Sequence, residues 1–170
     1  MLHVHRPFKC TCCLGPIMCN PQEVTVMTPT AGLVGRAVFD WRWWNACLPC
    51  WSRYRLEDAK GTVTHYVETP ALCAAGCSNL CAPTCFNEVW KAPVIDANSG
   101  EEVGALENQW PGWNLFGLCQ GATQADNFVI KFPKSATAEQ RATLFGSLLL
   151  LNFALFENRT KHKKGPTAGI

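Results

Sequence analysis

Cysteines are the side chains best able to do chemistry in this sequence, and there are eleven of them in 170 residues. The first ten residues lack the apolar segment of a secretory signal, so we expect the chain not to be secreted. Disulfides are rare in a reducing compartment. The thiols are then expected to bind a metal, to carry lipid, or to be buried as small hydrophobic side chains. Most of them form three groups: Cys10, Cys12 and Cys13 with Cys19 nearby; Cys47 and Cys50; and Cys73, Cys77, Cys81 and Cys85.

Metal binding and lipidation make different demands on cysteine spacing. A structural zinc site usually takes two Cys-x2-Cys pairs, and this chain has one, at Cys47 and Cys50. A cysteine-rich zinc module therefore stays open as an alternative, although its spacing is incomplete. Adjacent cysteines beside an apolar surface are typical of acylation. Two acyl chains anchor a protein stably where one binds reversibly, so Cys10, Cys12 and Cys13 are candidate lipidation sites.

Conventional catalysis finds little support in the other residue types. His65 lies in a predicted strand, where a structural cross-strand contact explains its presence better than a role as a catalytic base. The sequence has no glycine-rich phosphate loop and no paired-carboxylate motif. The segment 123–135, TQADNFVIKFPKS, offers oxygen ligands that could bind calcium. It is not an EF-hand loop, because Val129 occupies the central position where such a loop has glycine.

The most apolar stretch, LFGSLLLLNFALF at 144–156, belongs to a predicted helix over 137–158. Thr137 and Gln140 form a capping-box pattern at its start. A helix that crosses a bilayer needs about 20 apolar residues, and this run is shorter, so burial inside a protein is favoured. Its predicted core side chains are Leu144, Phe145, Leu148, Leu149, Leu151, Phe153 and Phe156.

Seven segments ahead of this helix alternate apolar and polar residues between turn signals, as strands do. The pattern predicts an α+β fold in which a mostly antiparallel sheet wraps around the C-terminal helix. The predicted strands are 23–28, 33–40, 53–58, 62–68, 87–96, 101–107 and 127–132.

Charge patterning excludes one class of partner. The net charge is only +2, and Lys and Arg do not cover one face, so we expect no nucleic-acid binding. Residues 159–170 are predicted to be a flexible basic tail, which either stays solvated or contacts anionic lipid.

Five motifs occur in an order that resembles the phospholipid scramblase family. They are RPFKCTCC (6–13), NACLPCW (45–51), QWPGWN (109–114), ADNFVIKFP (125–133) and LLLLNFALFE (148–157). The resemblance implies one domain over 6–158 with a tubby-like fold, in which a twelve-stranded barrel surrounds a hydrophobic C-terminal helix. Relative to that fold, the chain is expected to lack the N-terminal part.

The resemblance also implies an activity, a lipid modification and a calcium-binding segment. Family members move phospholipids between bilayer leaflets without ATP under calcium control, at the cytoplasmic face of a membrane. The palmitoylated cysteine cluster of the family corresponds here to Cys10, Cys12 and Cys13. The three carboxylates of the family's calcium segment correspond to Gln124, Asp126 and Ser135. Because two of these are neutral, calcium control is expected to be weak.

The strand count predicts a partner. Seven strands cannot enclose a helix that twelve enclose in the family, so a strip of Leu and Phe would face water beside two open strand edges. We expect a partner protein or a second copy to cover that strip. A structural or accessory subunit, held by partner chains, is therefore the alternative to a lipid-moving protein.

Overall fold

The computed structural model describes residues 1–7, 21–40, 52–69, 89–109 and 127–153, which form eight strands followed by one helix. The helix, α1, covers Ala138–Leu151. The strands are β1 (His3–His5), β2 (Glu23–Thr28), β3 (Gly32–Phe39), β4 (Ser52–Asp58), β5 (Val63–Thr69), β6 (Val89–Asp96), β7 (Glu102–Gln109) and β8 (Phe128–Lys131).

Every strand pairs antiparallel with the next one along the chain, so the sheet order is simply β1 to β8. The sheet curls into an open half-barrel with α1 on its concave side. Bulges interrupt the pairing of β2 with β3, of β4 with β5 and of β6 with β7, and bulges increase local bend and twist. Within the described part of the chain, β1 and β8 each pair on one side only and form the two edges.

The predicted fold class is confirmed, and the seven predicted strands are β2 to β8. The sequence did not predict β1, because three residues are too few to show an alternation. The predicted start of the helix is also confirmed: Thr137 Oγ1 accepts the Gln140 N–H, and Gln140 Oε1 accepts the Thr137 N–H. The helix ends at Leu151, and its predicted extension to 158 falls largely outside the described residues.

The two ends of the sheet are connected differently. At one end, called the turn end, short turns join β2 to β3, β4 to β5 and β6 to β7. Asp58 Oδ1 accepts the Lys60 and Thr62 N–H groups in the second turn, and Asp96 plays the same part in the third. At the other end, called the connection end, longer connections join β1 to β2, β3 to β4, β5 to β6 and β7 to β8.

The core lies between the concave face of the sheet and one side of α1. Alternate residues of each strand point inward, as the two-residue period of a strand requires. The helix packs mainly on β2, β3 and β4. The buried cluster consists of Val24, Ala37, Tyr54, Leu56, Val67, Trp90, Ala92, Val94 and Leu106 from the sheet, with Leu144, Leu148, Leu150 and Leu151 from the helix.

Candidate functional site: the half-barrel and its helix

Two glycines let the helix lie close against the strands. A Cβ atom added at Gly146 would lie 2.5 Å from Val26 Cγ2, and one added at Gly35 would overlap Thr143 Oγ1. Both contacts would force the helix away from the sheet. An isolated glycine within a helical pattern often has such a packing reason, and Gly146 was a signal available from the sequence alone.

The polar side chains on the buried side of the helix are satisfied by the helix itself. Thr143 Oγ1 donates to the Glu139 carbonyl oxygen at 3.0 Å, and Ser147 Oγ donates to the Leu144 carbonyl oxygen at 2.7 Å. A buried hydroxyl that has a hydrogen-bond partner avoids most of the desolvation penalty. Ser147 is therefore a small side chain at the helix–sheet contact whose hydroxyl keeps a hydrogen-bond partner.

The helix has one buried side and one outer side. Of the predicted core residues, Leu144, Leu148 and Leu151 are buried, whereas 42% of Phe145 is exposed. Leu149 and Phe153 are half-buried, and Phe156 lies outside the described residues. We call Ala142, Phe145 and Leu149 the outer strip, because their spacing of three and four places them on one helix face.

Arginines lie over aromatic rings near both ends of the helix. The Arg141 guanidinium is 6.0 Å from the centroid of the Phe132 ring, and the Arg6 guanidinium is 5.1 Å from that of Phe153. Both distances are within the range of cation–π attraction. Phe132 is nevertheless 41% exposed, so it adds apolar surface near the outer strip.

The convex face of the sheet carries buried carboxylates that are paired with basic side chains. Glu57 on β4 accepts from Arg36 at 2.6 Å and from Arg55 at 2.7 Å. Asp40 also pairs with Arg55, at 3.7 Å. These arginines therefore have acidic partners within the sheet and do not form an unbalanced positive patch that could bind an anion. The sequence did not predict this network, because the two strands that supply it become neighbours only in the fold.

A third buried carboxylate lies on β7. Glu107 Oε1 accepts from Lys131 Nζ at 2.6 Å, and Glu107 Oε2 accepts from Gln109 at 2.9 Å. Burial acts to raise the pKa of Glu107. The hydrogen bonds from Lys131 and Gln109, with the charges of Lys131 and Lys91, outweigh it and leave the pKa below its ordinary value. The pair joins edge strand β8 to β7.

His65 is the buried titratable group on the concave face of β5, with only 4% of its surface exposed. Its register partners are Leu56 on β4 and Asp96 on β6, and its Nδ1 lies 3.1 Å from Thr64 Oγ1. Burial lowers the pKa of His65 below its ordinary 6.5, and the nearby Asp96 charge opposes that shift without cancelling it. The native state therefore favours the neutral imidazole.

This shift predicts a loss of stability in mild acid. As the pH falls below about 6.5, the unfolded chain binds a proton at His65 before the native chain does, so the free energy of unfolding falls. We expect urea unfolding to show this decline, and the variant His65→Gln to flatten it. Asp96 has a lowered pKa and contributes only in a more acidic window. An unchanged slope in His65→Gln would contradict the assignment.

Most of the predicted lipid and calcium positions lie outside the described residues. These are Cys10, Cys12, Cys13, Gln124 and Asp126. Ser135, the third calcium position, is exposed in the turn between β8 and α1. Among the residues that the structure describes, no three His, Cys, Asp or Glu side chains are grouped as a metal site would need.

Within the same described residues, no helix has both the length and the apolar character required to cross a bilayer. The helix α1 has 14 residues, and about 20 are needed.

Comparison with known proteins identifies the family. The sequence profile of the Scramblase family matches residues 1–158, so the chain belongs to the scramblase family. It is 28% identical to phospholipid scramblase 4 of Mus musculus over 92% of this chain and 42% of that protein. It is 27% identical to phospholipid scramblase 1 of Rattus norvegicus and 24% identical to phospholipid scramblase 2 of Homo sapiens, over 92% of this chain in both cases.

The chain spans 40–46% of the length of these relatives. No solved structure matches the chain significantly. The open half-barrel around a hydrophobic helix agrees with a partial tubby-like barrel.

Proposed function

We propose that this chain is a membrane-associated, scramblase-like protein that moves phospholipids between bilayer leaflets without ATP. The observation that carries the proposal is the family match over residues 1–158. The half-barrel around an apolar helix supports it, because this architecture agrees with the partial tubby-like barrel that the family resemblance implies. The relatives named above are themselves called phospholipid scramblases.

The test is lipid translocation by the purified chain in vesicles of phosphatidylcholine and phosphatidylserine. A fluorescent phospholipid is placed in both leaflets, and dithionite added outside bleaches the outer leaflet. We expect bleaching to continue past the outer-leaflet fraction without ATP. Heat-unfolded chain at the same protein-to-lipid ratio is the control. If the folded chain leaves the inner leaflet as protected as empty vesicles do, the proposed activity is wrong.

A second candidate function is that of an accessory subunit held by partner chains. Two observations favour it: the outer strip is exposed, and the edge strands β1 and β8 each pair on one side only within the described residues. We propose that a partner protein covers this surface, with a second copy of the chain as the alternative. Unpaired strand edges invite such pairing.

We expect this chain to bind calcium only weakly. Asp126 is the one carboxylate among the three positions of the family's calcium segment, because Gln124 and Ser135 are neutral. Sensor sites bind calcium at about 10⁻⁷ to 10⁻⁵ M, and they use several carboxylates to do so. We expect titration calorimetry to show binding weaker than that range. Micromolar binding that Asp126→Ala abolishes would contradict the expectation.

Membrane attachment is proposed to come from acyl chains rather than from α1. Cys10, Cys12 and Cys13 match the positions of the palmitoylated cluster in the family. An acyl chain adds about 0.8 kcal/mol of membrane affinity per buried CH2 group, so two or three adjacent chains anchor stably.

A further inference from the structure

The edge strand β1 carries two histidines on one face. His3 and His5 are two residues apart, so their side chains leave the same face of the strand. That face is the convex one, because Val4 packs against the buried cluster and the Arg6 guanidinium lies over the Phe153 ring of the helix. Both histidines are exposed. The two imidazoles therefore face water side by side at the edge of the sheet.

Met27 on the neighbouring strand β2 shares this convex face. The adjacent Val26 points to the concave side, where its Cγ2 atom lies against Gly146 of the helix. Because successive side chains of a strand alternate between faces, Met27 points to the convex side. It is half-buried, and the register places it directly opposite His3.

The antiparallel register brings the three side chains within reach of one another. Directly opposite residues, such as His3 and Met27, have Cβ atoms about 4.5–5.5 Å apart. Diagonal neighbours, such as His5 and Met27, are about 7–8 Å apart, which long and aromatic side chains can span. Two imidazole nitrogens and a flexible thioether can therefore meet above the boundary between β1 and β2.

This donor set suits a soft metal ion. Thioether sulfur selects copper(I), and imidazole binds copper as well, whereas calcium and magnesium prefer oxygen ligands. Methionine is not one of the His, Cys, Asp and Glu ligands among which the described residues show no metal group. The nearby Arg6 cation is held away from these donors, because it donates to Gln22 Oε1 at 3.0 Å and lies over Phe153 on the helix side.

We propose that His3, His5 and Met27 form a binding site for one copper(I) ion that bridges β1 and β2. Strand β1 has only three residues and pairs with β2 alone within the described part of the chain. An ion that binds only when the two strands are paired stabilises the paired state by mass action. The site is independent of the proposed lipid movement and would hold the edge strand on the sheet.

A purely structural explanation of the same residues makes a different prediction. Exposed polar side chains on an edge strand discourage other chains from pairing with it, and a half-buried methionine fills an irregular gap in the packing. In that case copper(I) leaves the Met27 thioether unaffected.

The first measurement follows the methionine methyl groups by NMR in the full chain labelled with ¹³C at those methyls. The chain has three methionines, and Met27→Leu identifies the Met27 signal, with Met27→Ile as the substitute if that variant does not fold. Thiolates also bind copper(I), so the cysteines, all of which lie outside the described residues, are first capped with N-ethylmaleimide. Far-UV circular dichroism checks that the capped chain keeps its fold. If it does not, the uncapped chain is titrated with copper(I) in excess over its thiols.

Copper(I) added without oxygen is expected to shift the Met27 methyl signal until one ion is bound per chain. His3→Asn and His5→Asn should each abolish that shift, because each removes one of the three donors. His65→Gln is the matched control: it removes a histidine from β5 and should leave the shift unchanged. Calcium chloride should produce no shift in any variant.

The second measurement is hydrogen exchange of the β1 amides. We expect copper(I) to slow their exchange in the unmodified chain and to have no effect in His5→Asn. A Met27 signal that copper(I) does not move would overturn the site. So would a shift that persists in both His3→Asn and His5→Asn, because the methionine would then bind the ion without the histidines.

Discussion

Leu144→Ala is expected to lower the free energy of unfolding by about 3–5 kcal/mol, while Phe145→Ala in the next position costs less than about 1 kcal/mol. Leu144 is fully buried against the sheet, and truncating it leaves a cavity that the surrounding strands cannot fill. Phe145 lies on the outer strip with 42% of its surface exposed, so its removal leaves no internal void.

Urea unfolding followed by far-UV circular dichroism measures both variants against the unmodified chain. Each substitution replaces one large apolar side chain of the same helix turn with alanine, which is a good helix former, so helix propensity does not explain a difference. Equal losses in dissociated, monomeric chain would show that the outer strip is packed against the sheet as tightly as the buried side, and the described packing of the helix would then be wrong.

Replacing Cys10, Cys12 and Cys13 together with serine is expected to move the chain from the membrane pellet to the soluble fraction of eukaryotic cells. A single acyl chain binds a bilayer only marginally, and two make the attachment stable. Single replacements should therefore retain most of the membrane fraction, because two acylation positions remain. The loss should be steep between the first and the second replacement, where the number of acylation positions falls from two to one.

The matched control replaces Cys77, Cys81 and Cys85 with serine, which changes the same number of thiols in another connection. We expect that variant to stay in the pellet. Alkaline carbonate extraction distinguishes anchoring from insertion. A variant without Cys10, Cys12 and Cys13 that still resists carbonate would mean that the helix is inserted in the bilayer, which its 14 residues argue against.

The sequence predicted the features that local chemistry determines. The capping box at Thr137 and Gln140 identified the start of the helix, and alternation with turn residues identified seven of the eight strands. It did not predict which side of α1 is buried, because the run after Thr143 is apolar on nearly all sides and has no polar stripe to mark the outer face. Only the sheet makes Leu144 an inner residue and Phe145 an outer one.

The candidate site, too, could be predicted from the sequence only in part. Glu57 and Glu107 look like ordinary surface charges of alternating strands. Their burial depends on partners that the sheet brings together: Arg36 and Lys131 lie on neighbouring strands, and Arg55 lies on the same strand as Glu57. His65 was predicted to make a cross-strand contact, and its register places it beside Asp96. The lipidation positions and all three calcium positions remain predictions, and all of them except Ser135 lie outside the described residues.

The central claim is that this chain forms an open half-barrel whose outer strip needs a cover. Phe145 and the half-buried Leu149 lie on that strip, and edge strands β1 and β8 each pair on one side only within the described residues. Exposed apolar surface forfeits about 25 cal/mol for each Å² left in water, so covering the strip stabilises the fold. Phe145→Asp should weaken the binding of the protein that covers the strip. Arg141→Asp is the control, because it introduces the same side chain one turn earlier at a position that is already polar.

The most direct test is the mass of the native particle in detergent-free buffer, measured by light scattering during size exclusion. We predict a particle heavier than the 18.8 kDa chain, either with a partner purified from its source or as a self-associated form. Phe145→Asp should shift the particle toward the mass of the single chain, and Arg141→Asp should not. A sharply melting monomer of 18.8 kDa would show that the chain closes its own core, and would contradict the account.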